Sequence, residues 1–137
     1  MKQSQLSVFP AFVKVEDRVV VIIGEGEEAL AKARLVAETR ADITIVAQNP
    51  EPALARLIAE RGFLHIAAVY RADHLNDAVM VFAATGDRQT DERIVSDARA
   101  QKIAVNAVDR PDICDFYTPA LVNRAPVAVA IGSEGAG

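Results

Sequence analysis

The sequence predicts a Rossmann-like open α/β fold, in which a mostly parallel sheet carries flanking helices. Short runs of β-branched residues alternate along the chain with segments of helix-forming residues. Helical connections of this kind return the chain to the same end of the sheet, so successive strands run parallel. A glycine turn, Gly24 to Gly26, follows the first run directly, as in the first strand–helix unit of such sheets. The length of 137 residues is that of a single domain, which we expect to span residues 1–137.

The individual elements follow from the spacing of the apolar residues. Val19–Ile23 is a continuous β-branched run, as expected of a strand buried on both faces, and Ile43–Val46 is a second. Glu27–Thr39 is rich in Ala, Leu, Glu and Lys, which predicts a helix. Another helix is predicted to open at Pro50-Glu51-Pro52 and to run through about Arg61, with Gly62 as its C-cap. The remaining predictions are strands at Leu64–Val69, Val79–Ala84, Ile103–Val108 and Val127–Ile131 and a helix over Asp91–Gln101.

Composition and charge exclude several classes of protein. Hydrophobic residues make up 51% of the chain and charged residues 25%, an ordinary globular composition rather than a disordered one. The net charge of −4 argues against nucleic-acid binding, which needs clustered Lys and Arg, so we expect no nucleic-acid partner. No apolar run has the length of a signal or membrane segment, so we expect no membrane partner. The single cysteine, Cys114, excludes an internal disulfide, and these features together predict a cytoplasmic protein.

The sequence gives no sign of a permanent metal site. His65 and His74 are the two histidines of the chain, and neither stands at ligand spacing from the other or from Cys114. We expect His65 to be a partly buried structural residue of a strand and His74 to lie in a surface loop.

The glycine turn predicts a nucleotide-binding site. Gly24 permits the tight exit from the first strand, Gly26 allows the backbone to approach a pyrophosphate, and Ala29 stands where a third glycine is usual. Backbone N–H groups and the helix dipole hold the anion in such sites, so the neighbouring glutamates weaken binding without preventing it. The alternative is a tight turn in an α/β protein that binds no nucleotide.

The end of the second strand bears on the choice of cofactor. Sites that prefer NAD usually carry an acid about 20 residues past the glycines, where it accepts hydrogen bonds from the ribose. Here the strand leads into Ala47, Gln48 and Asn49, with no acid and no arginine beside them. Gln48 and Asn49 can hydrogen-bond a ribose. The choice between NAD and NADP stays open on these residues, with NAD favoured.

Motifs further along the chain are more specific than the glycine turn. They read, in order, Ala84-Thr-Gly-Asp87, Asn106-Ala-Val-Asp-Arg-Pro111, Cys114-Asp-Phe-Tyr-Thr-Pro-Ala120, Arg124-Ala-Pro126 and Ser133-Glu-Gly135. With the glycine turn, this series resembles the amino-terminal part of the siroheme synthases, the precorrin-2 dehydrogenase and sirohydrochlorin ferrochelatase proteins. The resemblance covers essentially the full length, and Phe9–Phe12 suits the family's first short strand.

Several positions depart from the family's pattern. Glu25 stands at the middle glycine, and Glu28 replaces a valine. Gly86 replaces the first aspartate of A-T-D-D, and Asp91 stands where asparagine is usual. These changes bear on the strength of cofactor binding more than on the fold.

The resemblance implies an activity and a set of site residues. Family members use NAD to oxidise precorrin-2 to sirohydrochlorin, and many then insert ferrous iron, as a substrate, into that tetrapyrrole. They form homodimers through a helical region that follows this part of the chain, so we expect a homodimer when that region is present. The residues implied are Asp109 as the acid–base group, Gly24, Gly26, Glu27, Glu28, Gln48, Asn49, Thr85 and Asn106 at the cofactor, and Arg124 and Ser133 at the tetrapyrrole.

Two interpretations from other classes of protein remain open. The chain can be a non-catalytic NAD-sensing or regulatory module, although such modules usually retain the full G-x-G-x-x-G and an acid after the second strand. It can also be an interaction domain in which the glycine turn is only structural. The interaction domain predicts no NAD affinity and no loss on replacing Asp109.

Overall fold

A computed structural model describes residues 4–134 of the chain, and its centre is one five-stranded parallel sheet. The strands lie in the order β3-β2-β1-β4-β5, with helices in the connections between them. The predicted Rossmann-like fold is confirmed. The elements are β1 Val19–Ile23, α1 Glu27–Val36, β2 Asp42–Val46, α2 Pro52–Arg61, β3 Leu64–Ile66, β4 Ala78–Ala83, α3 Arg88–Ala100, β5 Ala104–Ala107, β6 Ala120–Arg124 and β7 Val127–Ile131.

Alternating side chains of the central strands fill two cores, one on each face of the sheet. Val21 and Ile23 of β1 pack on the face that α3 covers, together with Ile94 of α3. Val20 and Ile22 pack on the opposite face with residues of α1 and α2. Continuous β-branched strands therefore form here because both faces are covered by helices.

The strand order reverses between β1 and β4, which places a topological switch point at the exit of β1. From β1 the chain proceeds outward through β2 to β3, then crosses to the other side of β1 for β4 and β5. Ligands of open α/β sheets bind at the carboxyl ends of the strands beside this reversal. The fold thus directs attention to the loops that leave β1, β2, β4 and β5.

Local sequence signals fix several helix boundaries. Gly62 ends α2 in the left-handed conformation, with φ of 67°, as predicted for a C-cap. Asp87 caps α3, since its side chain accepts a hydrogen bond from the Thr90 N–H. This cap explains why α3 begins at Arg88, three residues before the predicted start at Asp91. The first helix ends at Val36, short of the predicted Thr39.

The carboxyl-terminal part of the described chain departs from the parallel pattern. Val127–Ile131 is a strand, as predicted, but it pairs antiparallel with Ala120–Arg124 in a separate hairpin. The prediction that Phe9–Phe12 forms a short strand is wrong. Phe9 and Phe12 are 90% and 76% exposed, and Pro10 has no N–H to donate to a strand ladder.

In the part of the chain that the structure describes, every helix is too short or too polar to cross a lipid bilayer.

Candidate functional site

The exits of β1 and β4 meet closely at the switch point, and Gly24 makes this possible. Gly24 has φ of +156°, and a Cβ on it would lie 2.1 Å from the backbone oxygen of Ala84. The Ala84 N–H in turn donates to the Ile23 carbonyl over 2.8 Å. No side chain fits at position 24, so the tight exit predicted for Gly24 is present.

The N-terminus of α1 offers unbonded backbone donors beside this turn. The first helical hydrogen bond runs from the Leu30 N–H to the Gly26 carbonyl. Gly26 is the N-cap and supplies no side-chain cap, so in the described part of the chain the N–H groups of the first turn have no helical or capping acceptor. Such groups, together with the helix dipole, bind anions. The residues present therefore fit the pyrophosphate of a dinucleotide.

A cavity of about 720 Å³ opens in front of these donors. It extends from the β1 exit across the β2 exit to Tyr70 on one side and to the β4 exit on the other. Six of the residues predicted at the cofactor line it: Gly24, Gly26, Glu27, Glu28, Gln48 and Thr85.

At the β2 exit, Glu25 links the glycine turn to the neighbouring loop. Its carboxylate accepts a hydrogen bond from the Asn49 N–H over 2.8 Å, and its carbonyl accepts from the Glu51 N–H over 2.8 Å. Asn49 is exposed and lies outside the cavity lining, whereas Gln48 is part of it. The glutamate in place of the family's middle glycine thus has a structural use in holding two loops together.

The β4 exit is organised by Asp91, which is completely buried in α3. Its carboxylate accepts from the Thr85 N–H (3.2 Å) and the Thr85 hydroxyl (2.6 Å) with one oxygen. The other oxygen forms an ion pair with Arg110, 3.0 Å from Nε. Asp91 therefore ties the cofactor-side loop to the loop that carries Asp109. In the sequence, Asp91 was noted only because it replaces the family's usual asparagine. That it pairs with Arg110 is seen only in the fold.

Asp109 lies two residues after the end of β5, in the left-handed conformation with φ of 62°. It lines a second cavity of about 730 Å³, together with Asn106, Arg110 and Ser133. Asn106 is buried; its amide nitrogen donates to the Phe116 carbonyl over 2.8 Å, while its side-chain oxygen has no hydrogen-bond partner among residues 4–134. Buried polar atoms without a partner are rare. The second cavity thus contains an exposed carboxylate and a free acceptor.

The pKa of Glu28 depends on charged groups at both cavities. Burial raises its pKa above the ordinary value, and the nearby carboxylates of Asp109 and Asp91 raise it further, while Arg110 opposes them. Glu28 lines the first cavity and responds to the charge of a residue in the second. The buried Asp91 contacts both linings, Thr85 of the first and Arg110 of the second, so the two cavities are neighbours.

Lys32 and Arg124 are two further cations that bear on the binding of a substrate, and only Lys32 lines the second cavity. Lys32 of α1 reaches it and donates to the Thr118 hydroxyl over 3.0 Å. Lys32 was not among the predicted site residues, because only tertiary packing brings the middle of α1 against Thr118. Arg124, predicted at the tetrapyrrole, lies at the far end of β6 and donates to the Asn123 carbonyl, outside both cavity linings.

The other residues considered from the sequence have structural contacts. His65 shares a hydrogen bond of 2.8 Å with the Ala47 carbonyl, and His74 lies in a short 3₁₀ helix. The Cys114 thiol is half-buried, which raises its pKa, and it bonds to the backbone of Ala107. Within residues 4–134, no three His, Cys, Asp or Glu side chains are grouped as metal ligands. Gly135, the end of the last motif, lies outside the described residues.

Comparisons with known proteins agree with this arrangement. Residues 11–120 match a family model described as "Putative NAD(P)-binding". The chain is 37% identical to the siroheme synthase of Methylobacillus flagellatus and 38% identical to that of Psychrobacter cryohalolentis, in each case over 130 residues. These matches cover 95% of the chain but only 28% and 25% of the two relatives. The predicted resemblance to siroheme synthases is confirmed.

A solved structure gives the same fold. It is titled "SirC, precorrin-2 dehydrogenase" and matches with a TM-score of 0.75, covering 95% of this chain and 64% of that one. The identity is 18%, so this match concerns the fold. The family model matches most of the length of the chain, and the glycine turn and the cavity at the switch point agree with it. The chain therefore belongs to the NAD(P)-binding family.

Proposed function

We propose that this chain is the NAD-dependent dehydrogenase part of a siroheme-forming enzyme, and that it oxidises precorrin-2 to sirohydrochlorin. The observation that carries the proposal is Asp109, an exposed carboxylate in a second cavity that adjoins the nucleotide cavity. A dehydrogenation needs a hydride acceptor and a base at adjacent positions. The similarity to siroheme synthases over 95% of the chain supports this choice of substrate.

The cofactor would be held by groups along the first cavity. The backbone of the glycine turn and the first-turn N–H groups of α1, at Glu27 and Glu28, suit the pyrophosphate. Gln48 and the side chain of Asn49 suit a ribose. Thr85 suits the nicotinamide side of the cofactor. Asn106 lines the second cavity, and its side-chain oxygen, which has no partner among residues 4–134, suits an amide N–H such as that of a nicotinamide carboxamide that reaches across from the first cavity.

The tetrapyrrole would occupy the second cavity. Precorrin-2 carries several carboxylates, and two cations line this cavity, Lys32 and Arg110. The Ser133 hydroxyl is a further donor there. Arg124 lies at the far end of the hairpin, outside this cavity. We retain it as a proposed contact for a peripheral carboxylate, because the tetrapyrrole is wide enough to extend beyond the cavity.

The chemical step requires the removal of one hydride and one proton from the macrocycle. NAD, when bound, supplies the acceptor for the hydride. The Asp109 carboxylate takes the proton, and the product gains one carbon–carbon double bond. Arg110 adjoins Asp109 in the chain and is itself fixed by Asp91, so the loop that carries the base is held at a defined place.

Ferrous iron insertion is a second candidate activity for the same cavity. Insertion displaces two protons from pyrrole nitrogens, and Asp109 is available to accept them. In this scheme iron is a substrate that the macrocycle itself coordinates, so it needs no resident site in the protein.

The test is NADH formation from NAD and precorrin-2, followed by absorbance, in the chain and in an Asp109→Asn variant. Asparagine tolerates the left-handed conformation of position 109 and keeps the shape of the side chain, so the fold should persist. We expect the rate to fall at least about 100-fold. NAD affinity, measured by calorimetry, should change less than about twofold, because Asp109 lies outside the first cavity.

A chimera completes the experiment, because the chain spans only 28% of the Methylobacillus flagellatus relative. The matching segment of that siroheme synthase is replaced by this chain, with and without Asp109→Asn. Turnover in the chimera that the variant abolishes supports the dehydrogenase. Tight NAD binding without turnover in either protein supports the NAD-sensing module instead, and equal rates with and without Asp109 contradict its role as base.

A homodimer is part of the same proposal. Val127, Val129 and Ile131 of the hairpin are 62%, 50% and 65% exposed, an apolar surface that suits contact with a second copy. Sedimentation equilibrium of the chain and of the chimera measures the oligomeric state directly.

A further inference from the structure

The structure supplies an acidic side chain at the β2 exit that the strand itself lacks. Five residues beyond the end of β2, Glu51 turns back onto the glycine turn. A Cβ on Gly26 would lie 2.6 Å from the Glu51 Oε2 and 3.3 Å from its carboxyl carbon. The Glu51 carboxylate therefore occupies the space beside the second glycine and lines the first cavity.

The backbone fixes this position. The Glu51 N–H donates to the Glu25 carbonyl over 2.8 Å, and Glu51 is the N-cap of α2, followed by Pro52 at the first helical position. Proline at that position has the backbone angle that a helix start requires. The place of the carboxylate thus follows from a loop hydrogen bond and a helix boundary.

The carboxylate of Glu51 is also unused by the protein. It makes no side-chain cap to α2, and no hydrogen bond or ion pair involves it within residues 4–134. Glu25, by contrast, has its carboxylate bonded to the Asn49 N–H. Of these two glutamates at the β2 exit, Glu51 is the one free to accept hydrogen bonds from a ligand.

The charges around the cavity disfavour an additional phosphate. Four glutamates line it, namely Glu25, Glu27, Glu28 and Glu51. Among the described lining residues the one Lys or Arg is Arg93, which donates to the Tyr70 carbonyl over 3.3 Å and lies 5.2 Å from the centre of the Tyr70 ring. A 2′-phosphate would therefore meet four carboxylates here, with Arg93 as the one lining cation among the described residues to offset them.

We propose that Glu51 is the ribose-recognising acid of the nucleotide site and makes this chain select NAD over NADP. Its carboxylate accepts hydrogen bonds from the adenosine ribose hydroxyls and repels a 2′-phosphate, the task that the acid at the end of the second strand performs in other NAD sites. The inference rests on the proposed function, which requires a dinucleotide in the first cavity.

The test is direct titration of the whole chain with NAD and with NADP by calorimetry, which needs no tetrapyrrole. The variants are Glu51→Gln and, as a matched control, Glu60→Gln. Glu60 is an exposed glutamate of the same helix outside the cavity lining, so its replacement should alter neither affinity. Thermal unfolding followed by circular dichroism verifies that both variants fold.

We expect the unchanged chain to bind NAD at least about tenfold more tightly than NADP. Glu51→Gln should weaken NAD about tenfold and strengthen NADP, so that the preference disappears. If Glu51→Gln strengthens both dinucleotides equally, the carboxylate merely obstructs the pyrophosphate, and the inference is overturned. Unchanged affinities overturn it as well, while the NAD site stands. If neither dinucleotide binds even the unchanged chain, the proposed function fails together with it.

Discussion

The two cavities at the carboxyl edge of the sheet have similar volumes, about 720 and 730 Å³, and opposite constructions. The nucleotide cavity is built around one continuous segment, from Ile23 to Glu28. Most of the charged residues that line it are glutamates. The Asp109 cavity combines the middle of α1, the β5 exit and both ends of the hairpin, and includes Lys32 and Arg110.

The two cavities depend on the fold in different ways. A turn of adjacent residues is specified by local conformation, so its chemistry can be recognised from the sequence. A cavity made from distant segments exists only when all of them pack correctly. The negative first cavity suits a cofactor held by backbone N–H groups, whereas the cations of the second suit a ligand with its own carboxylates.

Replacing Asp91 should produce the largest effect, because it damages both cavities at once. Asp91→Ala removes the acceptor of the Thr85 N–H and the shorter of the two hydrogen bonds of the Thr85 hydroxyl, and it leaves Arg110 without its buried ion partner. We expect the free energy of unfolding, measured in urea, to fall by about 3 kcal/mol. NAD affinity and dehydrogenase rate should both decline, since the loops on both sides lose their anchor.

Two variants sharpen this result. Asp91→Asn retains an oxygen for Thr85 and removes only the charge, so its loss of stability should be smaller than that of Asp91→Ala. Glu92→Ala removes the neighbouring exposed ion pair with Arg88 and should cost less than about 0.5 kcal/mol. Equal losses for Asp91→Ala and Glu92→Ala would show that the buried pair does not hold the two loops.

Replacing Lys32 separates the two cavities. Lys32→Met keeps the apolar stem of the side chain and removes the cation from the Asp109 cavity. We expect the KM for the tetrapyrrole to rise about tenfold with little change in kcat, because an ion pair with a substrate carboxylate is lost. Steady-state kinetics of the chimera measure both constants.

NAD affinity is the internal control for Lys32→Met and should not change, since Lys32 lies outside the first cavity. Arg34→Met serves as the matched variant, because Arg34 is an exposed cation of the same helix outside both linings. A change in NAD affinity without a change in KM would contradict the separation of the cavities.

The smallest expected effect concerns Glu28, where the cavities meet. Its folded-state pKa is raised by burial and by the carboxylates of Asp109 and Asp91, against the opposing charge of Arg110. Folding therefore favours the protonated carboxyl, a contribution that is complete below the unfolded pKa and disappears as the pH rises through the folded one. The neutral form also repels a pyrophosphate less. NAD affinity should accordingly fall about two- to threefold as the pH rises through this titration.

Calorimetric titrations with NAD over a pH series measure this dependence. In a Glu28→Gln variant the side chain stays neutral, so the same decline should be absent. A decline that persists unchanged in Glu28→Gln would assign it to another group.

The sequence anticipated elements whose cause is local. Val19–Ile23 is a strand because a β-branched run suits a sheet covered on both faces, and Gly62 ends α2 because a left-handed residue is needed there. The hairpin partner Ala120–Arg124 was missed, because its burial does not alternate and apolar periodicity gives no signal. Phe9–Phe12 was wrongly assigned from the family resemblance, because a similar segment does not by itself provide a neighbouring strand to pair with.

The order of strands and helices in the parallel sheet, the glycine turn and the motif that marks Asp109 could be predicted from the sequence, since each depends on residues adjacent in the chain. Which distant groups meet depends on the tertiary structure. It brings Glu51 beside Gly26, pairs Asp91 with Arg110, and places Lys32 at the second cavity. Side chains far apart in sequence become neighbours only when the sheet order and the packing of the helices fix their distances. Periodicity and composition do not contain those distances.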